Sequence, residues 1–293
     1  MTVDTHPEKQ KLSRRGFLKL ATVAAAEAAV MVCGGLTYAS IIEPGWVDIA
    51  PISLTLPRLS PEFEGYRIAQ ISDIHIGPWM TRQRLEKIVA QINQQNPDLV
   101  VITGDFVYRN PESFADDLIS TLSALTPRDA ALAVLGNHDH WTNACLVRQI
   151  LRESGLIELS NAVHTLQRGD ALLHIAGVDD HWERKDRLAL VLDILPLEGA
   201  AILLAHEPDF ADISAATGRF DLQLSGHSHG GQVIIPFLGP PMLPLYARKY
   251  PIGLYKVKNM LQYTNRGVGM IPPIVRFNCR PEITVLTLES RHV

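Results

Sequence analysis

With 293 residues, 46% of them hydrophobic and 20% charged, the chain has an ordinary globular composition that argues against disorder. A formal net charge of −4 supplies no basic footprint, so no nucleic acid is indicated as a partner. The length fits one domain of ~230–250 residues behind an N-terminal extension better than two domains.

The extension carries the first signal. Ser13-Arg14-Arg15-Gly16-Phe17-Leu18-Lys19 resembles the twin-arginine export consensus S-R-R-x-F-L-K and precedes an apolar run from Leu20 to Ile42 broken only by Glu27. Residues 1–39 therefore read as a twin-arginine signal or a membrane anchor. The expected partner is the export machinery, and the expected location is the periplasm or the outer face of the cytoplasmic membrane. Thr37-Tyr38-Ala39 allows a cut before Ser40, yet the run also reaches the ~20 residues a membrane helix needs. Residues 40–64 hold Pro44, Pro51, Pro57 and Pro61 and read as an extended connector, with possible short strands at 46–49 and 52–56.

The globular domain is expected over 65–290. Strand patterns at 66–71, 99–102 and 131–135 alternate with helix patterns at 82–96 and 114–125, the rhythm of a mostly parallel sheet. A helix near 143–153 follows, then strands near 162–166 and 171–175. Next come a helix near 185–194 and strands at 200–204 and 222–224. Hairpin-like strands near 232–235, 253–257, 261–264 and 282–288 close the chain. Cys145 and Cys279 are expected to be buried small residues rather than a bridge, and no cysteine has zinc-knuckle spacing.

Five short blocks stand at the ends of those strands: Asp73-Ile74-His75, Gly104-Asp105, Gly136-Asn137-His138-Asp139, His206, and Gly226-His227-Ser228-His229. Any one of them alone would mean little. Together they gather oxygen and imidazole donors of the kind that two divalent cations require.

The order and wording of the blocks resemble the metallophosphoesterase (calcineurin-like phosphoesterase) superfamily over roughly residues 65–288. The longer stretches Leu204-Ala205-His206-Glu207-Pro208-Asp209 and Gly226–Gln232 resemble its exported YkuE- and YaeI-like phosphodiesterase branch. The resemblance implies an α/β fold, a four-layer α/β/β/α sandwich of two mixed sheets flanked by helices. It also implies a hydrolase with two divalent ions, for which Mn, Fe and Zn all suit a nitrogen and oxygen donor set. Carried over residue by residue, Asp73, His75 and His229 would take one ion, Asn137, His206 and His227 the other, and Asp105 would bridge them. The ions would generate a hydroxide for attack on phosphorus. His138 would act as the catalytic residue, stabilising phosphoryl oxygens or protonating the leaving group. Asp139 would either accept from His138 and set its tautomer or cap a helix.

Two divalent ions less Asp73, Asp105 and hydroxide leave about one positive charge, which a phosphodiester monoanion would neutralise. A phosphodiesterase is therefore expected, with a phosphomonoesterase and a non-catalytic metal-dependent scaffold as the alternatives. The stretch Val233–Tyr246 carries no charge and four prolines between 236 and 244. It either packs on its own domain or forms an exposed patch for membrane contact and a lipid-linked substrate. His140-Trp141 and Asp179-Asp180-His181-Trp182 either line the cleft or, as read here, form surface loops, and His164 and His174 are read as structural strand residues.

Overall fold

Residues 13–291 are described by the structure, a computed structural model; residues 1–12 of the expected signal segment and 292–293 lie outside it. The described residues run through twelve strands: β1 (Asp48–Leu56), β2 (Arg67–Ile71), β3 (Leu99–Thr103), β4 (Ala130–Val134), β5 (Ile157–Glu158), β6 (Ala162–Arg168), β7 (Ala171–Gly177), β8 (Ala200–Leu204), β9 (Leu222–Ser225), β10 (Gly253–Val257), β11 (Met260–Thr264) and β12 (Glu282–Ser290). Its α-helices are α1 (Arg14–Thr37), α2 (Arg82–Gln94), α3 (Ala115–Leu122), α4 (Asn137–Thr142), α5 (Ala144–Glu153), α6 (Leu188–Ile194) and α7 (Ala211–Ser214).

The strands form two six-stranded sheets, ordered β1-β12-β2-β3-β4-β5 and β10-β11-β9-β8-β7-β6. Both are mixed. In the first, only the β12–β2 pairing is antiparallel; in the second, β6 and β10 each run antiparallel to their neighbour. The fully buried runs of β3 and β8 contain no alternation because both faces of each strand are covered. On the inner faces Val101, Val134 and Leu286 meet Ile175, Ile202 and Leu224 in one apolar cluster. On the outer face of the first sheet, Ile71, Val100 and Ala133 pack against Leu85, Ile88, Leu118 and Ile150 of α2, α3 and α5. Ala201 and Leu203 of the second sheet pack against Val191 of α6 and Ala211 of α7. The layers therefore run α/β/β/α.

Three sequence expectations need correction. Residues 40–64 are more than an extended connector: the possible short strands at 46–49 and 52–56 merge into β1, which pairs with β12 along nine residues, from Asp48–Glu282 to Leu56–Ser290. Pro51 is tolerated there because β1 is an edge strand with a single neighbour, so its missing N–H costs no ladder bond. The expected strand at 232–235 does not form: Val233 and Ile235 make only isolated bridges, to Phe277 and Gly239, in a loop broken by proline. Cys145 is exposed on α5, whereas Cys279 is buried; neither is bridged.

Candidate metal centre

The five blocks converge at one end of the sandwich, beyond the carboxyl ends of β2, β3, β4, β8 and β9. That is where ligands gather in open α/β sheets. Sharp reversals deliver the side chains. Asp73, His75, Asp105, His227 and His229 all adopt positive φ, between 46° and 67°. Such strain in residues other than glycine clusters at functional sites. The glycines permit close approach: a side chain at Gly136 would collide with the Asp105 carboxylate, and one at Gly226 with Ser72 and Asp73.

Asp105 occupies the middle. Its Oδ2 lies 3.4 Å from His75 Nε2 and 3.3 Å from His206 Nε2. Its Oδ1 accepts the His138 backbone N–H at 2.9 Å, which orients the carboxylate. On one side of Asp105, His75 Nε2 and His229 Nε2 are 3.1 Å apart, and Asp73 Oδ1 lies 3.3 Å from the latter. On the other side, His206 Nε2 and His227 Nδ1 are 3.2 Å apart. Donors ~2.1 Å from one tetrahedral or octahedral ion stand ~3 Å or slightly more from each other, so these separations fit two cation positions. Asp73, His75 and His229 form one compact donor group, and Asp105, His206 and His227 another.

The protonation pattern agrees with this at His75 and His227. At His206 burial would lower the pKa, but the Asp105 carboxylate raises it well above the ordinary value, so that ring gives up a proton to ligate. His206 Nδ1 donates to the Thr103 carbonyl at 2.6 Å, and His227 Nε2 donates to the Leu245 carbonyl at 2.9 Å. Each hydrogen bond turns the opposite ring nitrogen inward. Burial pushes His75 down to about 3 and His227 down to about 4, toward the neutral form that ligates. Burial, reinforced by Asp105, raises Asp73 to about 7. Burial would also raise Asp105, but the surrounding His206, His138 and His75 hold it well below the usual range. Asn137 Oδ1 is buried without a hydrogen-bond partner, and His75 Nε2 and His229 Nε2 face each other at 3.1 Å. A cluster of lone pairs facing one another without donors fits bound divalent cations.

Asp139 does not fulfil the expected role beside His138. Its carboxylate accepts the backbone N–H groups of Gly136, Asp105, Phe106 and Val107 at 2.9–3.3 Å. It sits in the first turn of α4, as the third helical residue rather than the cap. Asp139 therefore ties the Gly136 turn to the Asp105 turn. His138 is half-buried, with its ring 4.7 Å from that of His75 and 4.8 Å from that of Trp141.

The two loops read as surface loops instead wall the cleft. Trp182 packs 5.5 Å from His227 and 5.3 Å from Trp141, and Tyr108 lies 5.6 Å from His138. Glu207, next to His206, accepts the backbone N–H groups of His181 and Trp182 and so pins that loop. Trp141 could have been found from its spacing, since it follows His138 by three positions on one helix. Tyr108 and Tyr246 left no such trace. His140 Nε2 bonds Asp179 at 2.7 Å and His174 bonds Thr165 and Glu198, so both act structurally. Beside His227 and His229 opens a cavity of about 320 Å³, bounded also by Val233, Met242, Leu243 and Ile271.

The fold and the convergent donor set are those of a metal-dependent phosphoesterase. A family model described as calcineurin-like phosphoesterase matches residues 66–231, and the chain belongs to that family. It is 35% identical to the uncharacterized metallophosphoesterase YkuE of Bacillus subtilis, over 96% of this chain and 99% of that one. It is 29% identical to the phosphodiesterase YaeI of Escherichia coli, over 94% and 99%. A transmembrane protein with metallophosphoesterase domain from Danio rerio is 31% identical over 94% of this chain and 64% of its own length. As a family member the chain is a hydrolase of phosphoesters that uses divalent metal.

Proposed function

We propose that the protein is a binuclear phosphodiesterase that works outside the cytoplasmic membrane on a lipid-linked substrate. The observation that carries the binuclear part is Asp105 Oδ2, equidistant within 0.1 Å from imidazole nitrogens of two separate donor groups (3.4 and 3.3 Å). In this reading Asp73, His75 and His229 hold one ion, Asn137, His206 and His227 hold the other, and Asp105 is shared. Mn, Fe and Zn all remain compatible with these donors. When bound, the pair of ions polarises phosphoryl oxygens and makes water acidic enough to attack near neutral pH.

The rest is done by the chain. Thr103 and Leu245 carbonyls orient the His206 and His227 rings, and the His138 N–H fixes the bridging carboxylate. The half-buried His138 imidazole, beside His75 and open to the cleft, is placed to give a proton to the departing oxygen. Trp141, Trp182 and Tyr108 keep bulk water from the reacting centre. Two dications less Asp73, Asp105 and one hydroxide would leave about one positive charge, which favours a singly charged phosphodiester over a dianionic monoester. The printed name of YaeI supports the same choice.

Export rests on the Ser13–Lys19 wording and on the apolar helix that follows it. The lipid-linked class rests on the cavity beside His227 and His229. Metal-reconstituted protein should hydrolyse bis(4-nitrophenyl) phosphate at least ~10-fold more efficiently than 4-nitrophenyl phosphate, the factor worth about 1.4 kcal/mol of transition-state binding. The reverse preference would make it a phosphomonoesterase. Replacing Arg14 and Arg15 together by Lys should hold the protein in the cytoplasm, read by cell fractionation; unchanged export would refute the twin-arginine route.

A further inference from the structure

Helix α1 leaves nearly all its described side chains in solvent, yet its carboxyl end is fastened to the domain. Glu43 is fully buried, and its carboxylate accepts the backbone N–H groups of Asn278, at 3.0 Å, and Cys279. The Ala39 carbonyl accepts the Arg276 N–H at 2.8 Å, and the Tyr38 ring meets Phe277 edge-on at 6.3 Å. A cut before Ser40 would strip two of these four contacts, those of Tyr38 and Ala39, from the folded domain.

The segment that receives the helix also supports the apolar loop. Phe277 donates to the Gln232 carbonyl at 2.9 Å, Ile234 donates to the Phe277 carbonyl at 2.8 Å, and Asn278 Nδ2 donates to the Ile234 carbonyl at 3.2 Å. From that base the loop thrusts Phe237, Leu238 and Met242 almost wholly into solvent. The same loop returns through Leu243 to close the cavity beside His227 and His229, and Leu245 holds the His227 ring. Helix base, exposed apolar tip and cleft mouth thus share one rim of the molecule, at the carboxyl ends of the strands.

We propose that α1 is retained as a membrane span and that Phe237 and Leu238 dip into the leaflet it leaves, pressing the mouth of the metal cleft against the bilayer. Beyond Lys19, α1 runs from Leu20 to Thr37, about 27 Å of helix, within the ~17–25 residues a membrane helix uses. Arg14, Arg15 and Lys19 at its amino end orient it, because basic residues stay on the cytoplasmic side and the domain then lies opposite. An uncharged loop carrying Phe, Leu and Met, rooted beside the point where a span emerges, faces lipid before any other partner. The ligand class follows from this placement: phosphodiesters whose apolar chains stay in the membrane while the phosphate rises into the cleft. The inference rests on the lipid-linked reading for its purpose, but its first test requires no turnover.

The full chain, with Cys33 and Cys145 changed to Ser, is labelled with an environment-sensitive fluorophore at Phe237→Cys and reconstituted into vesicles of phosphatidylethanolamine and phosphatidylglycerol. A second preparation carries the label at Leu197→Cys, an exposed residue preceding the amino end of β8, away from the metal residues. The 237 probe should emit to the blue and be quenched by lipids spin-labelled near the headgroup, and the 197 probe should do neither. Mass analysis of the extracted chain should find residues preceding Ser40 still attached. Equal exposure of the two probes overturns the inference, as does cleavage before Ser40. Shielding at 237 that lipid quenchers do not reach also overturns it, in favour of a protein partner. In a separate assay, Phe237→Ser with Leu238→Ser should leave hydrolysis of soluble bis(4-nitrophenyl) phosphate unchanged and slow hydrolysis of a vesicle-borne phosphodiester about 10-fold, as expected when two apolar contacts with lipid are lost. Equal rates on the vesicle substrate would count against the surface. Absence of hydrolysis on either substrate would defeat the phosphodiesterase reading and leave the fluorescence result standing.

Discussion

Between the two sheets, Val101, Val134, Ile202, Leu224 and Leu286 are shut away from water in one apolar cluster. At the carboxyl ends of the same strands, Asp73, His75, Asp105, Asn137, His206, His227 and His229 are shut away almost as completely, none more than 5% exposed. The seam gains stability from its burial. The cleft loses it, because ionisable groups are desolvated while their lone pairs face one another and five of the seven residues bend into the left-handed region. One set of strands thus supports a region built for cohesion and another held together against its own preference. The contrast locates the chemistry: a protein keeps such an arrangement where something else binds to it.

Substitutions can break that contrast or sharpen it. Asp105→Asn should reduce phosphodiester hydrolysis to background while circular dichroism and thermal unfolding report a folded protein, because the shared carboxylate is lost and the seam is untouched. His138→Ala should retain metal and lower kcat by ~10²–10⁴, the usual range for a lost general acid or base. The loss should shrink when the leaving group is an acidic nitrophenolate. Metal loss in this variant would place His138 among the ligands instead.

Leu286→Ala tests the opposite region. It should cost about 2–5 kcal/mol in denaturant unfolding, with kcat preserved at temperatures where the protein stays folded. Asp139→Ala lies between the two regions. Four backbone N–H groups lose their acceptor, so stability should fall by roughly 3 kcal/mol, with activity reduced through the displaced Asp105 and Gly136 turns. Full stability in that variant would contradict the tethering role.

The smallest effect concerns Asp179. Burial would raise its pKa, but hydrogen bonds from His140 and the Asp180 N–H, together with the charge of Arg148, hold it below the ordinary value. A depressed folded pKa adds stability above the unfolded Asp value, ~3.9, and that contribution disappears as pH falls through the folded pKa. Asp179→Asn should therefore cost about 1.5 kcal/mol at pH 7 and progressively less below about pH 4. A difference that stays constant down to pH 2 would mean that packing, not charge, is what is lost.

Much of this was legible in the chain because local rules and function coincide. The β2-α2-β3-α3-β4 half reads directly from its periodicity, and each strand runs straight into a donor-bearing block. The resemblance to a known family then assembled the blocks before any distance was known. Reading failed where a long-range partner decided the outcome. Pro51 and its neighbours looked like linker until β12, more than 200 residues away, supplied the edge pairing. Asp139 read equally as a partner of His138 or a helix cap, because its backbone partners across the Asp105 turn leave no mark in sequence. Trp182 and Tyr246 reach the cleft only through tertiary folding, and Glu43 gave no hint that its carboxylate would be buried on 278–279.

The central claim is that Asp105 lies between two cation positions, and counting bound metal tests it most directly. Apoprotein titrated with Mn or Zn, followed by desalting and elemental analysis, should hold two equivalents per chain. His227→Ala should hold fewer than wild type, with hydrolysis abolished in step. A single equivalent in fully active wild-type protein, or an active His227→Ala variant, would contradict the two-metal account.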